Sequence, residues 1–152
     1  MSATVFRRIG SAAAALAFMA AVAIAQSPAD EARLKKLDAG AKTIDVSQYP
    51  ADQQKAYKMY LTKCSSCHVI ARAINSEMVV PVDWERYIKR MMYKPNSGIS
   101  ADDGRILYRF VTYDASARKA DLLRKALVAL PAADRAAALE RIKAVNPGFA
   151  AP

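Results

Sequence analysis

Apolar residues recur along the chain at helical spacing, in short amphipathic segments separated by proline, glycine and acidic residues. The clearest stripe joins Trp84, Tyr87, Ile88 and Met91 at positions i, i+3, i+4 and i+7, with charged residues on the opposite side. No segment alternates apolar and polar residues as a half-buried strand does. The pattern predicts an all-α fold with helices over residues 30–37, 52–63, 84–93, 100–113, 117–130 and 132–145.

Residue types at the predicted helix ends support this division. Asp83 is a candidate N-cap for the helix that carries the stripe. Ser100 and Asp103 have the spacing of a variant capping box. Residues 69–82 contain small and apolar side chains, and residues 78–81 among them predict an irregular apolar loop. Residues 114–116 predict a break between two helices.

The first 25 residues differ in character from the rest. Arg7 and Arg8 precede an uncharged apolar run over residues 9–24, and an Ala-Ile-Ala sequence ends at Ala25. This order of a basic, an apolar and a small-residue region is typical of a secretory signal peptide, so we expect export to the periplasm. The alternative is an uncleaved anchor that keeps the protein at the membrane.

One short motif contains every cysteine and histidine of the chain. Cys64, Cys67 and His68 form Cys-x-x-Cys-His, the attachment pattern of a c-type haem. In that chemistry the two thiols add to the two vinyl groups of the macrocycle, and the adjacent imidazole binds the iron. The motif predicts one haem c, covalently bound through Cys64 and Cys67, with His68 as the proximal iron ligand.

Three other interpretations of the two cysteines are weaker. A redox motif of the thioredoxin type follows a strand, whereas the residues before Cys64 have a helical pattern. A structural zinc site needs four ligands, and the motif supplies three. A local disulfide suits an exported protein but leaves the adjoining histidine unexplained. We therefore expect one haem and no disulfide.

The order of these elements resembles a small monohaem cytochrome c of the class I type. A helix leads into the Cys64–His68 motif, and a loop, a helix and a last core helix follow. The stretches over residues 84–92 and 94–100 resemble a bacterial periplasmic subgroup. The resemblance extends from about Asp52 to Asp114.

The resemblance divides the chain into four parts. The signal segment (1–25) is followed by a leader (26–50), a cytochrome c domain (51–116) and a C-terminal helical extension (117–152). The family's minimal domain does not include that extension, so the resemblance implies nothing about its role.

The resemblance also implies that a methionine sulfur binds the iron opposite His68. Met91 is the first candidate because it shares a helix face with Trp84 and Ile88. Met92 is the alternative, and Met78 is a third choice. The expected haem pocket consists of Trp84, Tyr87, Ile88, Phe110 and Ile74.

An iron bound by both His and Met has no open position for a substrate. The resemblance therefore implies a periplasmic one-electron carrier that is not an enzyme. The chain has 23 Lys and Arg against 14 Asp and Glu, which favours redox protein partners with acidic docking surfaces, and export argues against nucleic acid. The basic residues in or near the segments expected to hold the haem are Lys58, Lys63, Arg72, Lys89, Arg90 and Lys94.

Two alternatives remain open at the level of sequence. Without a methionine ligand, the iron is accessible, and the protein binds a gas or performs peroxide chemistry. In the second alternative, the chain is a haem-bearing subunit of a larger oxidoreductase complex, and its C-terminal helices form an interaction arm. The basic residues of that arm are Lys119, Arg124, Lys125, Arg135 and Arg141.

Overall fold

The computed structural model describes residues 27–152, which form seven α-helices and no strand. The all-α class predicted from the sequence is confirmed, whereas the predicted signal segment lies outside the described residues. None of the helices in this range has the length and apolar character needed to cross a membrane. The helices are α1 (Pro28–Asp38), α2 (Ala51–Cys64), α3 (Ile70–Ile74), α4 (Pro81–Met92), α5 (Ala101–Ala117), α6 (Ala120–Val128) and α7 (Ala132–Lys143).

Two predicted helix ends are wrong. Helix α4 begins at Pro81 with Val80 as its N-cap, so Asp83 lies inside the first turn and is not the cap. Proline is favoured at the first helical position because its φ angle is preset and its missing N–H is not needed there. Helix α5 continues through residues 114–116, where a break was expected.

At the positions where a break was expected, Asp114 and Ser116 find hydrogen-bond partners and α5 continues. The carboxylate of Asp114 accepts hydrogen bonds from Arg118 at 2.9 and 2.6 Å and from the Tyr49 hydroxyl at 2.9 Å. The hydroxyl of Ser116 donates to the carbonyl of Tyr113 at 2.7 Å. At the other end of α5, the capping box of Ser100 and Asp103 is confirmed.

Helix α5 is central to the packing, since it contacts α2, α4, α6 and α7. A first core lies between α2, α4 and α5, and the loop before α2 is fixed to it where the Ile44 N–H donates to the Tyr57 hydroxyl at 2.8 Å. The buried residues of this core are Ile44, Ala56, Tyr57, Tyr60, Ala73, Ile74, Trp84, Ile88, Leu107, Phe110 and Val111.

The leader helix α1 packs against α3. Arg72 of α3 donates two hydrogen bonds to the Asp38 carboxylate, at 2.8 and 2.5 Å. The side-chain amide of Asn75 donates to the carbonyls of Leu37 and Ala41 at 3.2 and 2.9 Å. These contacts attach α1 beside the Cys-x-x-Cys-His motif.

A second core joins α6 and α7 to the rest of the molecule. Its buried residues are Val79, Val80, Ala115, Leu123, Leu127, Ala138, Ile142 and Phe149. Val79 and Val80 precede α4, and Ala115 belongs to α5, so the C-terminal extension packs on the helices of the first core. Of the basic residues named for this extension, Lys119, Arg124, Arg135 and Arg141 contact other groups within the chain, and Arg141 is nonetheless exposed.

The junction between α5 and α6 holds the segment that follows α3. Arg118 donates to the carbonyl of Ile74 at 3.1 Å, and the Lys119 ammonium donates to the carbonyl of Ser76 at 2.5 Å. Burial, together with the positive charge of Arg118, lowers the pKa of Lys119 to about 8. The fold therefore carries a lysine whose charge is costly at neutral pH.

The Lys119 site predicts that stability rises with pH above 8. Between pH 8 and 10, the unfolded lysine keeps a proton that the folded lysine releases, so the free energy of unfolding increases with pH. Relative to Lys119→Met, the parent should gain on the order of 1–2 kcal/mol over this interval. Denaturant titrations of both proteins at several pH values measure the difference, and parallel pH profiles would contradict it. Tyr49 and Tyr60, whose pKa values burial raises, destabilise both proteins above pH 10 alike.

Candidate cofactor site

Helix α2 ends in the Cys-x-x-Cys-His motif. Cys64 is its last residue, and Ser65 is the C-cap. The hydroxyls of Ser65 and Ser66 donate to the carbonyls of Thr62 and Lys63 at 3.2 and 2.9 Å. The last turn of a helix leaves its carbonyls without backbone partners, and these bonds satisfy two of them. The two serines between the cysteines therefore cap the C-terminal end of α2.

The two cysteines are free thiols in different surroundings. Cys64 is partly buried, and Cys67 is exposed. Desolvation raises the pKa of the Cys64 thiol to about 12. A disulfide oxidoreductase needs a cysteine with a lowered pKa, so the state of Cys64 does not support the thioredoxin-type interpretation.

The imidazole of His68 is held at both of its nitrogens. Nδ1 lies 3.2 Å from the carbonyl oxygen of Val69, and Nε2 lies 3.2 Å from the Tyr87 hydroxyl. Because a carbonyl only accepts, we assign the proton to Nδ1, and Nε2 then accepts from Tyr87. This tautomer directs the lone pair of Nε2, the one that binds a metal, toward α4.

A cleft separates the motif from α4. Its inner part encloses about 30 Å³ and is lined on one side by Cys64, Cys67 and His68. Other lining residues are Tyr60, Ala73, Trp84, Tyr87, Ile88, Met91, Ile99, Leu107 and Val111. The cleft continues into an outer groove of about 610 Å³ that shares Cys67, His68 and Met91 with the inner part.

The three candidate methionines occupy different places. Met91 lines both the inner cleft and the outer groove, as His68 does. Met92 points to the other side of α4, where a Cβ atom added at Gly104 would lie 2.7 Å from its sulfur. Met78 lines the outer groove but not the inner cleft. Successive residues of a helix point about 100° apart, so only one of the adjacent methionines faces His68.

Three of the five expected pocket residues line the inner cleft, namely Trp84, Tyr87 and Ile88. Phe110 and Ile74 do not line it. Phe110 packs instead in the core, with its ring centroid 5.6 and 5.0 Å from those of Tyr57 and Tyr60. Ile74 is likewise a core residue.

Some lining residues were not predicted from the sequence. Leu107 and Val111 lie four positions apart on α5, and this i, i+4 spacing was a usable signal for one helix face. Leu34 and Leu37 of α1 line the outer groove, and no local pattern indicated that this helix docks beside the motif.

Polar groups around the outer groove suit an anionic ligand. The charged side chains that line it are all cationic: Arg33, Arg72, Arg90 and Lys94. Arg72 is paired with Asp38, and the Arg90 guanidinium lies 5.3 Å from the centre of the Tyr87 ring. The indole N–H of Trp84 is buried and finds no hydrogen-bond partner among residues 27–152.

Within residues 27–152, no group of three or more His, Cys, Asp or Glu side chains could hold a metal ion, so a structural zinc site finds no support. No protein-family model, curated protein or solved structure matches the chain. The interpretation of the cleft therefore depends on its own residues.

The different burial of the two thiols predicts selective modification. In the cofactor-free folded chain, iodoacetamide should alkylate Cys67 well before Cys64, because the attacking species is the thiolate and burial disfavours it at Cys64. Peptide mass spectrometry over a time course measures the two rates. In denaturant the two rates should become similar. Equal rates in the folded chain would show that Cys64 is not protected.

Proposed function

We propose that the chain carries one covalently bound haem c and works as a periplasmic one-electron carrier, similar to class I cytochromes c. The observation that carries this proposal is the arrangement of the cleft. The Nε2 of His68 faces it, Met91 lines it, and Cys64 and Cys67 lie along the same cleft.

The residues present fit such a cofactor. Cys64 and Cys67 would form its thioether bonds, and His68, with its ring fixed by the Val69 carbonyl, would bind from one side. Met91 would bind from the other side through its sulfur. The inner cleft is small, and the Tyr87 hydroxyl lies 3.2 Å from His68 Nε2, so Tyr87 would have to move before Nε2 could bind the cofactor.

The apolar walls of the cleft suit the macrocycle of a haem, and the cationic rim suits its carboxylates. Apolar side chains of α4 and α5, such as Ile88 and Leu107, would contact the macrocycle and exclude water. The cation of Arg90, which lines the outer groove, would bind its carboxylates. The bound group supplies a one-electron iron couple, and the thioether of Met91 favours the ferrous state.

Electron transfer is the activity that this pair of ligands would support. If His68 and Met91 both held the iron, no position would be left for a substrate, and the chain would exchange electrons with partner proteins. The partners we propose have acidic docking surfaces, because every charged residue that lines the outer groove is cationic. Export through residues 1–25 would place this exchange in the periplasm, where the two cysteines are reserved for the cofactor.

A second candidate function would follow if Met91 did not bind the cofactor. A ligand position of the iron would then be free, an arrangement suited to gas binding or peroxide chemistry. Carbon monoxide distinguishes the two cases, because it shifts the ferrous spectrum only when a coordination position is free.

The proposal predicts different spectra for variants at the two adjacent methionines. Expressed with its signal segment in a host competent for haem attachment, the parent should show a low-spin c-type α-band when reduced. It should also show a weak red band of His/Met ligation when oxidised. Met91→Ala should lose the red band and have a lower reduction potential, because a thioether ligand raises the potential.

Met92→Ala is the matched control and should keep the red band. Loss of the band in Met92→Ala alone would move the ligand to that residue. A high-spin parent spectrum that responds to carbon monoxide would favour the open-site alternative. A denatured mass without added haem would refute the proposal altogether.

A further inference from the structure

Helices α6 and α7 are here called the C-terminal helix pair. Helix α7 contacts α4, whereas α6 packs against α5 and α7. Arg141 of α7 donates to Glu85 Oε2 at 2.5 Å. The other oxygen of Glu85 accepts from Lys89, one turn further along α4, at 2.6 Å. The Arg141–Glu85 ion pair joins α7 to the middle of α4.

The same helix pair shares a buried apolar cluster with the residues just before α4. Val80 is the N-cap of α4. It is buried together with Val79, Leu123, Leu127 and Ile142, of which the last three belong to the helix pair and are fully buried. The N-terminal end of α4 therefore begins in the apolar cluster that the helix pair forms.

The far end of α4 rests on α5. The sulfur of Met92 lies so close to Gly104 that a Cβ atom there would be 2.7 Å away. Met92, Gly104 and Arg141 line one groove, so this contact and the Glu85–Arg141 pair lie on the same side of α4. The residues that face His68, including Met91, lie on the other side.

We propose that the C-terminal helix pair positions α4 and thereby holds Met91 at the cleft, so that the extension strengthens the sixth-ligand bond. This inference rests on the proposed haem function. Contacts on the outer side of a helix determine its rotation about its own axis. Without them α4 can turn or shift, and the Met91 sulfur then leaves the place opposite His68. A metal–sulfur bond tolerates little displacement. If α4 is less firmly positioned, an added ligand therefore replaces the Met91 sulfur more readily.

The test uses the haem-loaded full chain and the variants Arg141→Gln, Glu85→Gln and their combination. Imidazole competes with the native sixth ligand, so its affinity measures how firmly Met91 is held. Each single variant should bind imidazole more tightly, by up to about fivefold, since an exposed ion pair contributes up to about that ratio. The double variant should exceed the single variants by little, because all three break the same contact.

Lys143→Gln is the matched control. Lys143 is exposed on the same helix, and it forms no ion pair in the part of the chain that the structure describes, yet its loss removes the same charge. Ile142→Ala tests the apolar contact and should have a larger effect than Arg141→Gln, because the Ile142 side chain is fully buried. Val128→Ala, at an exposed position of α6, controls for it.

A second measurement does not need the cofactor. In the cofactor-free chain, amide hydrogen exchange in α4 should be faster in Arg141→Gln and Ile142→Ala than in the parent, while the middle of α2 keeps its rate. If the variants match their controls in both measurements, the proposed role of the helix pair is wrong. A parent that carries no haem refutes the proposed function instead, and the exchange rates still show whether the pair holds α4.

Discussion

The carboxylate of Asp114 is buried near the end of α5, and the structure around it satisfies that charge. A buried carboxylate is tolerated only with close partners. Arg118 and Tyr49 supply them, and Arg118 also binds the carbonyl at the end of α3. One ionised group thus joins the loop before α2, the segment after the Cys-x-x-Cys-His motif and the helix at the centre of the molecule.

Helix α4 has two sides with separate tasks. The side with Trp84 and Met91 faces His68, and the side with Glu85 and Met92 contacts α7 and α5. Two adjacent methionines therefore have different roles, one at the cleft and one in packing. The C-terminal extension, which the family resemblance leaves unexplained, is connected with the site through this second side.

Several features were predictable because they depend on neighbours in the sequence. The helical period indicated the all-α class, and the spacing of Ser100 and Asp103 indicated the start of α5. The features that were missed depend on competition between two possible helix starts, or on contacts between residues far apart in the sequence. Asp83 lost the capping position because Pro81 begins the helix earlier, and residues 114–116 stayed helical where a distant partner satisfies Asp114.

By itself, the sequence determined which chemistry is available: two thiols and one imidazole within five residues, at the end of an amphipathic helix. Helix phase also ranked Met91 ahead of Met92, because Met91 shares a face with Trp84 and Ile88. Only the tertiary structure decided that Met91 shares the cleft with His68 while Met92 packs against Gly104. The reason is physical: helix phase is a local property, whereas the rotation of α4 depends on the surfaces of α5 and α7 against which it packs.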